Sequence, residues 1–336
     1  MSKVTSLEVA RRAGVSQSAV SRVFTPGASA SAKTVEKVKR AARELGYRPN
    51  VLARAMVSGK SRIIGLVVAY LENQFYPVAL ELLSNALQER GYHLLIFTAP
   101  NSTDGVEGVI ADLMDYQVDG IIAASVSLSS PLADRARAAG VPVVLFNRGQ
   151  EDTEFSSVAS TNFDGAYEVT EFLIETGHRR IAHIAGWQGS QTGKDRARGF
   201  EAALSAAQQK PFALVDGMYK RQIAATCARQ LLRGTRPDAI FVGNDHMAFA
   251  VLDVVREMGL TPGQDISVVG FDDVPQASWG AYDLTTYRQP VNRMVEAAVD
   301  LILEQVESGV LVPQKTEIKG ELIQRGTAGR LKGVAP

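Results

Sequence analysis

Cysteine is nearly absent from this chain. Cys227 is the only one among 336 residues. One thiol excludes an intrachain disulfide and leaves a thiolate-based zinc site without ligands. Histidine is scarce too: His93, His178, His183 and His246 make no His-x-x-x-His or His-Glu pair of the kind that binds a catalytic metal. No Gly-x-Ser-x-Gly elbow is present, and Gly186-x-x-Gly189 falls short of a dinucleotide fingerprint. An enzyme therefore has no visible catalytic set, and no cofactor is expected. No run approaches the roughly 18 apolar residues that span a bilayer. Met1-Ser2-Lys3-Val4 carries no apolar signal region, so the chain is expected in the cytoplasm. This also argues against an exported binding protein.

Net charge is missing as well, with 36 basic and 36 acidic side chains. The balance hides two halves of opposite sign. Residues 1–60 hold 12 Lys and Arg against 3 Asp and Glu, a net of +9, and the rest of the chain carries −9. A basic segment beside an acidic body is an electrostatic footprint for a polyanion.

What is present in that basic segment is a pair of short helices and a longer third. Thr5-Ser6-Leu7-Glu8 is a capping box. The first helix is expected to bury Val9, Ala10 and Ala13, and Gly14 takes the positive φ of a sharp interhelical turn. Ser16 caps a second helix in which Val20, Val23 and Phe24 share the inner face. Gln17, Ser18, Ser21 and Arg22 fall on the outer face. Such side chains read base edges in a major groove, Arg on guanine and Gln on adenine. The third helix is expected over Ala32–Leu45, capped by Ser31 and stopped by Gly46. Ser31 and Thr34 stand where hydroxyls hold phosphates.

From Ile63 onward apolar runs alternate with amphipathic stretches. Strands are expected at Ile63–Ala69, His93–Phe97, Gly120–Ala124, Val141–Phe146, Arg180–Ala185, Ala239–Val242 and Ile266–Gly270. Helices are expected at Tyr76–Arg90, Asp164–Thr176, Asp195–Ala207 and Asp245–Met258. The rhythm occurs twice, with a break near Ser160-Thr161-Asn162, and implies parallel sheets covered on both faces. Ligands of such sheets bind beyond the carboxyl ends of the strands. The residues there include Phe75 and Tyr76, Ser125, Asn147-Arg148, Gly186 to Arg196, Gly243-Asn244-Asp245 and Phe271-Asp272-Asp273. Asp245 reads as a helix cap, and Trp187 and Trp279 as pocket wall or core.

The stretch from Val9-Ala10 through Ala13-Gly14-Val15-Ser16 to Val20-Ser21-Arg22-Val23, with Tyr47-Arg48-Pro49 beyond it, resembles the lactose-repressor and galactose-repressor family of bacterial regulators, over roughly residues 3–328. The resemblance implies an α/β protein: an all-α helix-turn-helix headpiece over 1–48, a hinge over 49–60, and a periplasmic-binding-protein-like effector domain over 61–330. That domain would hold two doubly wound parallel-sheet lobes, one about 61–160 and 290–320, the other about 161–289 and 321–330.

It further implies a repressor whose DNA contacts include Thr5, Ser16, Gln17, Ser18, Ser21, Arg22, Ser31, Thr34, Asn50 and Ala53, with Met56 wedging into the minor groove as a leucine does elsewhere in the family. Arg196, Asn244 and Asp272 match its ligand-contacting positions, and Phe75, Thr192 and Tyr219 align with its pocket. Tyr76, Ser125 and Arg148 join them from the strand-end reading. The expected partners are a palindromic operator, a second copy of the chain, and a sugar or sugar acid. The chain departs from the family at Ser6-Leu7, where the apolar residue usually comes first, at the Thr25–Ala30 connection, at Ser160-Thr161, where the family often has Asp, and at Ser190, near which purine-binding members carry Arg. No leucine-rich tetramer-forming tail is visible in Arg330–Pro336, so a dimer is expected.

Overall fold

The computed structural model describes residues 4–25, 28–48, 60–99, 103–126, 130–149 and 155–330. Asn50, Ala53 and Met56 lie outside the described residues. The chain divides into two compact units, residues 1–61 and 62–336.

The first unit holds α1 (Ser6–Ala13), α2 (Gln17–Phe24) and α3 (Ala32–Leu45). Each start is set by a side-chain cap. Thr5 and Glu8 close a reciprocal capping box, Ser16 accepts from the Ala19 N–H, and Ser31 from that of Thr34. Such caps stabilise a helix by about 1 kcal/mol each. Gly14 turns the chain at φ 64°, a left-handed conformation that a Cβ would oppose. Val9, Ala10, Val20, Val38, Ala41 and Ala42 form the buried centre, with Val23, Phe24, Leu45 and Tyr47 packed around it. Ala13 belongs to this surrounding layer and is only partly buried.

The second unit is built on two six-stranded sheets. The first contains β1 (Ile63–Val68), β2 (His93–Thr98), β3 (Gly120–Ala124), β4 (Val143–Phe146), β5 (Ser156–Ser160) and, returning late in sequence, β11 (Lys315–Ile318). Their spatial order is β11-β5-β4-β3-β1-β2, parallel throughout. The helices between them are α4 (Phe75–Glu89), α5 (Thr103–Asp115) and α6 (Ser130–Ala138). The sequence IIGLVV of β1 is buried along nearly its whole length, as both faces of a covered parallel sheet require. β2 is an edge strand and alternates in exposure.

The second sheet runs β12-β10-β9-β8-β6-β7. Its strands are β6 (Ile181–Ala185), β7 (Ala213–Asp216), β8 (Ala239–Val242), β9 (Ser267–Asp272), β10 (Thr285–Arg288) and the antiparallel β12 (Glu321–Ile323). The helices α7 (Asn162–Glu175), α8 (Gln191–Ala206), α9 (Arg221–Leu231) and α10 (Asp245–Glu257) accompany it, with a 3-10 turn at Pro275–Ser278. The final helix, α11 (Val291–Ser308), packs on the first sheet. The chain therefore passes between the two sheets three times, at 160–162, 288–291 and 318–321. Among the described residues no helix is long and apolar enough to cross a membrane.

Several expected elements shift. The fourth strand starts at Val143 rather than Val141, after Pro142, which has no N–H to give a ladder. The helix expected at Asp195–Ala207 begins one turn earlier at Gln191, because the Ser190 hydroxyl caps it by accepting from Gly193 N–H. The strand β5 was not expected. Its sequence, SSVAS, is polar and small, yet all five residues are buried. Gln305 on α11 satisfies the Ser156 hydroxyl at 2.8 Å, which makes that burial tolerable.

Candidate functional site: a nucleic-acid face and a ligand cleft

In the first unit the capping of α2 turns one polar face outward. Gln17, Ser18, Ser21 and Arg22 are all exposed. Ser16 Oγ lies 2.9 Å from Ser18 Oγ, and Gln17 Nε2 donates to Ser6 Oγ at 2.9 Å. Arg22 has no side-chain partner among the described residues. Ser31 and Thr34 share a hydroxyl contact of 2.9 Å at the start of α3, beside the dipole-positive helix end that attracts phosphate. The Thr5 hydroxyl donates to Glu8 at 2.9 Å and so belongs first to its cap. Its backbone and side-chain hydrogen bonds, followed by nearby Arg11, hold the Glu8 carboxyl below the usual carboxylate range.

In the second unit the cleft lies where the carboxyl ends of both sheets face each other. From the first lobe come Tyr70, Asn73, Tyr76, Ser125, Asn147 and Arg148; from the second come Thr192, Arg196, Tyr219, Asn244 and Asp272. Eight of the nine residues expected at an effector site line this one space. Phe75 does not. Its ring packs against Phe146, 6.4 Å between centroids, and edge-on against Tyr76, so it supports the wall from the first-lobe core. Tyr70 and Asn73 were not singled out from sequence, although both stand just after the first strand, and Asn147, read at the end of the fourth strand, was not carried into the expected site.

The second-lobe side is a bonded polar set. Arg196 rises from α8 with its guanidinium 3.7 Å from the centre of the Phe271 ring. Its Nε donates to Asn162 at 2.8 Å and its Nη1 to the Gly243 carbonyl at 2.6 Å. Nη1 also stands 3.8 Å from Asp272, an ion pair with 3% and 2% side-chain exposure. Asp272 accepts from Gln289 at 2.6 Å and from Asn73, across the cleft, at 3.2 Å. Burial pushes the Asp272 carboxyl up, and Arg196 opposes that shift.

Asp245 is not the cap that the sequence suggested. Asn244 caps α10, its Oδ1 accepting from Met247 N–H at 3.0 Å, which leaves its Nδ2 to the cleft. Asp245 stands one residue inside, fully buried, accepting from Val274 N–H at 3.0 Å and the Thr286 hydroxyl at 2.5 Å. Burial, then the charge of Asp272, holds its carboxyl well above the usual carboxylate range. Asp273 caps nothing either and is paired with Arg288 and Arg325.

Several residues here hold backbone conformations that side chains disfavour: Ser125 at φ 62°, Asn147 at 54°, Tyr219 at 57° and Asp272 at 136°. Such strain, about 1–3 kcal/mol per residue, gathers where a fold must aim side chains at a ligand. Gly186 meets a different demand. A Cβ there would run into the Tyr219 ring. Trp187 and Trp279 are exposed and belong to no core; Arg148 lies 5.8 Å from the centre of the Trp187 ring, reaching across the cleft. Direct bonds also close the gap, Tyr70 Oη to the Tyr219 carbonyl at 2.7 Å and Gln276 to Gln74 at 3.4 Å. The free space between these residues is about 30 Å³, room for water but not for a sugar ring.

Comparison with known proteins follows the same division. The profile described as "Bacterial regulatory proteins, lacI family" matches residues 6–50, and that of the "Periplasmic binding protein-like domain" matches residues 170–328. The HTH-type transcriptional repressor PurR of Edwardsiella ictaluri is 32% identical over 323 residues, covering 95% of each chain. The lac repressor dimer bound to operator and the anti-inducer ONPF is 29% identical, with a TM-score of 0.87 over 97% of this chain and 99% of that one. The complex of the transcriptional regulator CelR with cellobiose is 32% identical, with a TM-score of 0.74 over 97% and 100%. With near-full-length identity of this order and a matching headpiece profile, the chain belongs to the lacI family of bacterial regulatory proteins and is a helix-turn-helix transcriptional repressor, not an enzyme.

Proposed function

We propose that this repressor binds a palindromic operator as a dimer and that a sugar or sugar acid, held in the cleft, controls its affinity. The observation that carries the effector reading is the Arg196–Asp272–Asn244 set. A guanidinium, a carboxylate and an outward carboxamide nitrogen offer donors and an acceptor at close quarters, the arrangement that grips neighbouring hydroxyls. Arg148 adds a second cation on the opposite wall, suited to a carboxylate. Ser190, which carries Arg in purine-binding members by the sequence resemblance, is consumed here as a helix cap and a donor to the Trp187 carbonyl at 2.7 Å. The cellobiose complex of the related CelR agrees with a carbohydrate, and the operator-bound dimer of the lac repressor agrees with paired headpieces. One recognition helix spans only a few base pairs, so two copies related by a two-fold axis would read half-sites one helical turn apart. Control follows if the ligand binds the DNA-competent and incompetent arrangements unequally, which opening and closing of the cleft provides.

The test begins with melting temperatures of the whole protein against sugars, sugar acids and nucleobases, since a ligand of the folded state raises the transition. DNA enriched from a random duplex library is then titrated with and without the ligand found. A sugar or sugar acid is expected to shift both the melting temperature and DNA affinity, and Asp272→Asn is expected to remove both shifts while ligand-free DNA binding persists. A response to nucleobases alone, or a bound sugar that leaves DNA affinity unchanged, would overturn this reading.

A further inference from the structure

The outer face of α2 is not uniformly free. Arg22 has no side-chain partner among the described residues, whereas Gln17 is tied to a different helix. Gln17 is the first residue of α2, and its Nε2 donates at 2.9 Å to the hydroxyl of Ser6, the first residue of α1. Ser6 itself is well anchored. It is half-buried, and the preceding Thr5 is locked by the capping box, its N–H donating to Glu8 at 2.7 Å. A serine side chain has one heavy-atom torsion, so an anchored backbone places its hydroxyl closely. An apolar side chain at position 6, the arrangement usual in the family that this sequence resembles, has no hydroxyl with which to make this bond.

We propose that Ser6 is a positioning residue for sequence reading: its hydroxyl holds the Gln17 carboxamide in place on the face that α2 presents, and so sets the base preference at the pair Gln17 reads. The inference rests on the proposed role of α2 in reading base edges. One N–H of the carboxamide is spent on Ser6. The second N–H and Oε1 remain, which together are the donor and acceptor that the major-groove edge of adenine complements. An untethered glutamine has three flexible torsions to order on binding. Without the strap it can also turn its amide toward other bases. The hydroxyls expected to hold phosphate, Ser31 and Thr34, stand on α3 and its cap, away from the strap.

The experiment uses the full-length protein and a randomised duplex DNA library, with sequencing of the bound fraction. Wild type, Gln17→Ala, Ser6→Ala, Ser6→Thr and the Ser6→Ala/Gln17→Ala double variant are compared, each checked for an unchanged melting temperature. Gln17→Ala is expected to erase the preference at one position of each half-site. Ser6→Ala is expected to weaken preference at that same position by roughly 3- to 10-fold, with no change in the salt dependence of binding. Ser6→Thr, which keeps the hydroxyl, restores it, and the double variant matches Gln17→Ala alone. The positioning role is overturned if Ser6→Ala spares the position that Gln17→Ala erases, relaxes a different one, or adds to Gln17→Ala in the double variant. If Gln17→Ala itself changes no position, the base-reading role of Gln17 fails and the strap with it; failure of the strap alone leaves the Gln17→Ala effect standing.

Discussion

The headpiece and the cleft expose their functional side chains in opposite ways. Gln17, Ser18, Ser21 and Arg22 stand in solvent, and Arg22, with no ion-pair partner among the described residues, keeps its charge at little cost because water solvates it. Arg148, Arg196, Asn244 and Asp272, which line the cleft, are buried, and the bonds that hold Arg196 and Asp272 in place also tie parts of the fold together. A long polyanion can be met by an open face. A small neutral or singly charged molecule must be enclosed before a few hydrogen bonds suffice to select it. Function and stability are therefore separable in the first unit and entangled in the second.

The sharpest way to break this contrast is Arg196→Ala. It removes one partner of an ion pair that is almost fully buried, leaves Asp272 without its counter-charge, and leaves the Gly243 carbonyl and Asn162 Oδ1 short of a donor. The loss is expected to reach about 3–5 kcal/mol of stability, read by denaturant unfolding. A variant as stable as wild type would show that the cleft set is dispensable to the fold. Next comes Arg22→Ala, which is expected to cost about 1–3 kcal/mol of discrimination between preferred and random DNA. Its melting temperature should stay where it was, because the side chain is exposed and has no hydrogen-bond or ion-pair partner among the described residues. Equal weakening on both DNAs, or a lower melting temperature, would place Arg22 on the cleft's side of the comparison.

The smallest effect concerns pH. The raised carboxyl of Asp245 means the folded chain keeps a proton that the unfolded chain releases, so its contribution falls as pH rises above the ordinary value of 3.8. Asp245→Asn, which can still accept from Val274 N–H and donate to Thr286, is expected to flatten the decline of melting temperature between about pH 5 and pH 8. An unaltered profile would sink that assignment.

Legibility from sequence followed the same contrast. In the headpiece, caps and turns are local events, and Thr5, Ser16, Ser31 and Gly14 announce them within four residues of where they act. The strands β1, β3 and β8 were legible because two-sided burial leaves a continuous apolar run. β5 and β10 were not, because SSVAS and TTYR carry polar side chains whose partners lie far along the chain: Gln305 for Ser156, and the Arg325 carbonyl for Thr285. Asn244 took the cap expected of Asp245 for a similar reason. Either residue type caps a helix, and only the arrival of Val274 and Thr286 around Asp245 decides which one is drawn inward.

By itself the sequence determined the three headpiece helices, the outward face of α2, the opposed charges of the two halves, the alternating α/β rhythm and the strand ends that line the cleft. Each of these depends on neighbours a few residues apart or on composition, and so survives without knowledge of the fold. Only the tertiary structure decided that Tyr70, Asn73 and Asn147 join Arg196 and Asp272 around one space, that Phe75 backs the wall instead of facing it, that Asp245 is buried, and that Ser6 holds Gln17. These depend on segments as much as 199 residues apart, as in the Asn73–Asp272 bond. Their pairing is set by the register of the sheets and the packing of the helices, which no local pattern encodes.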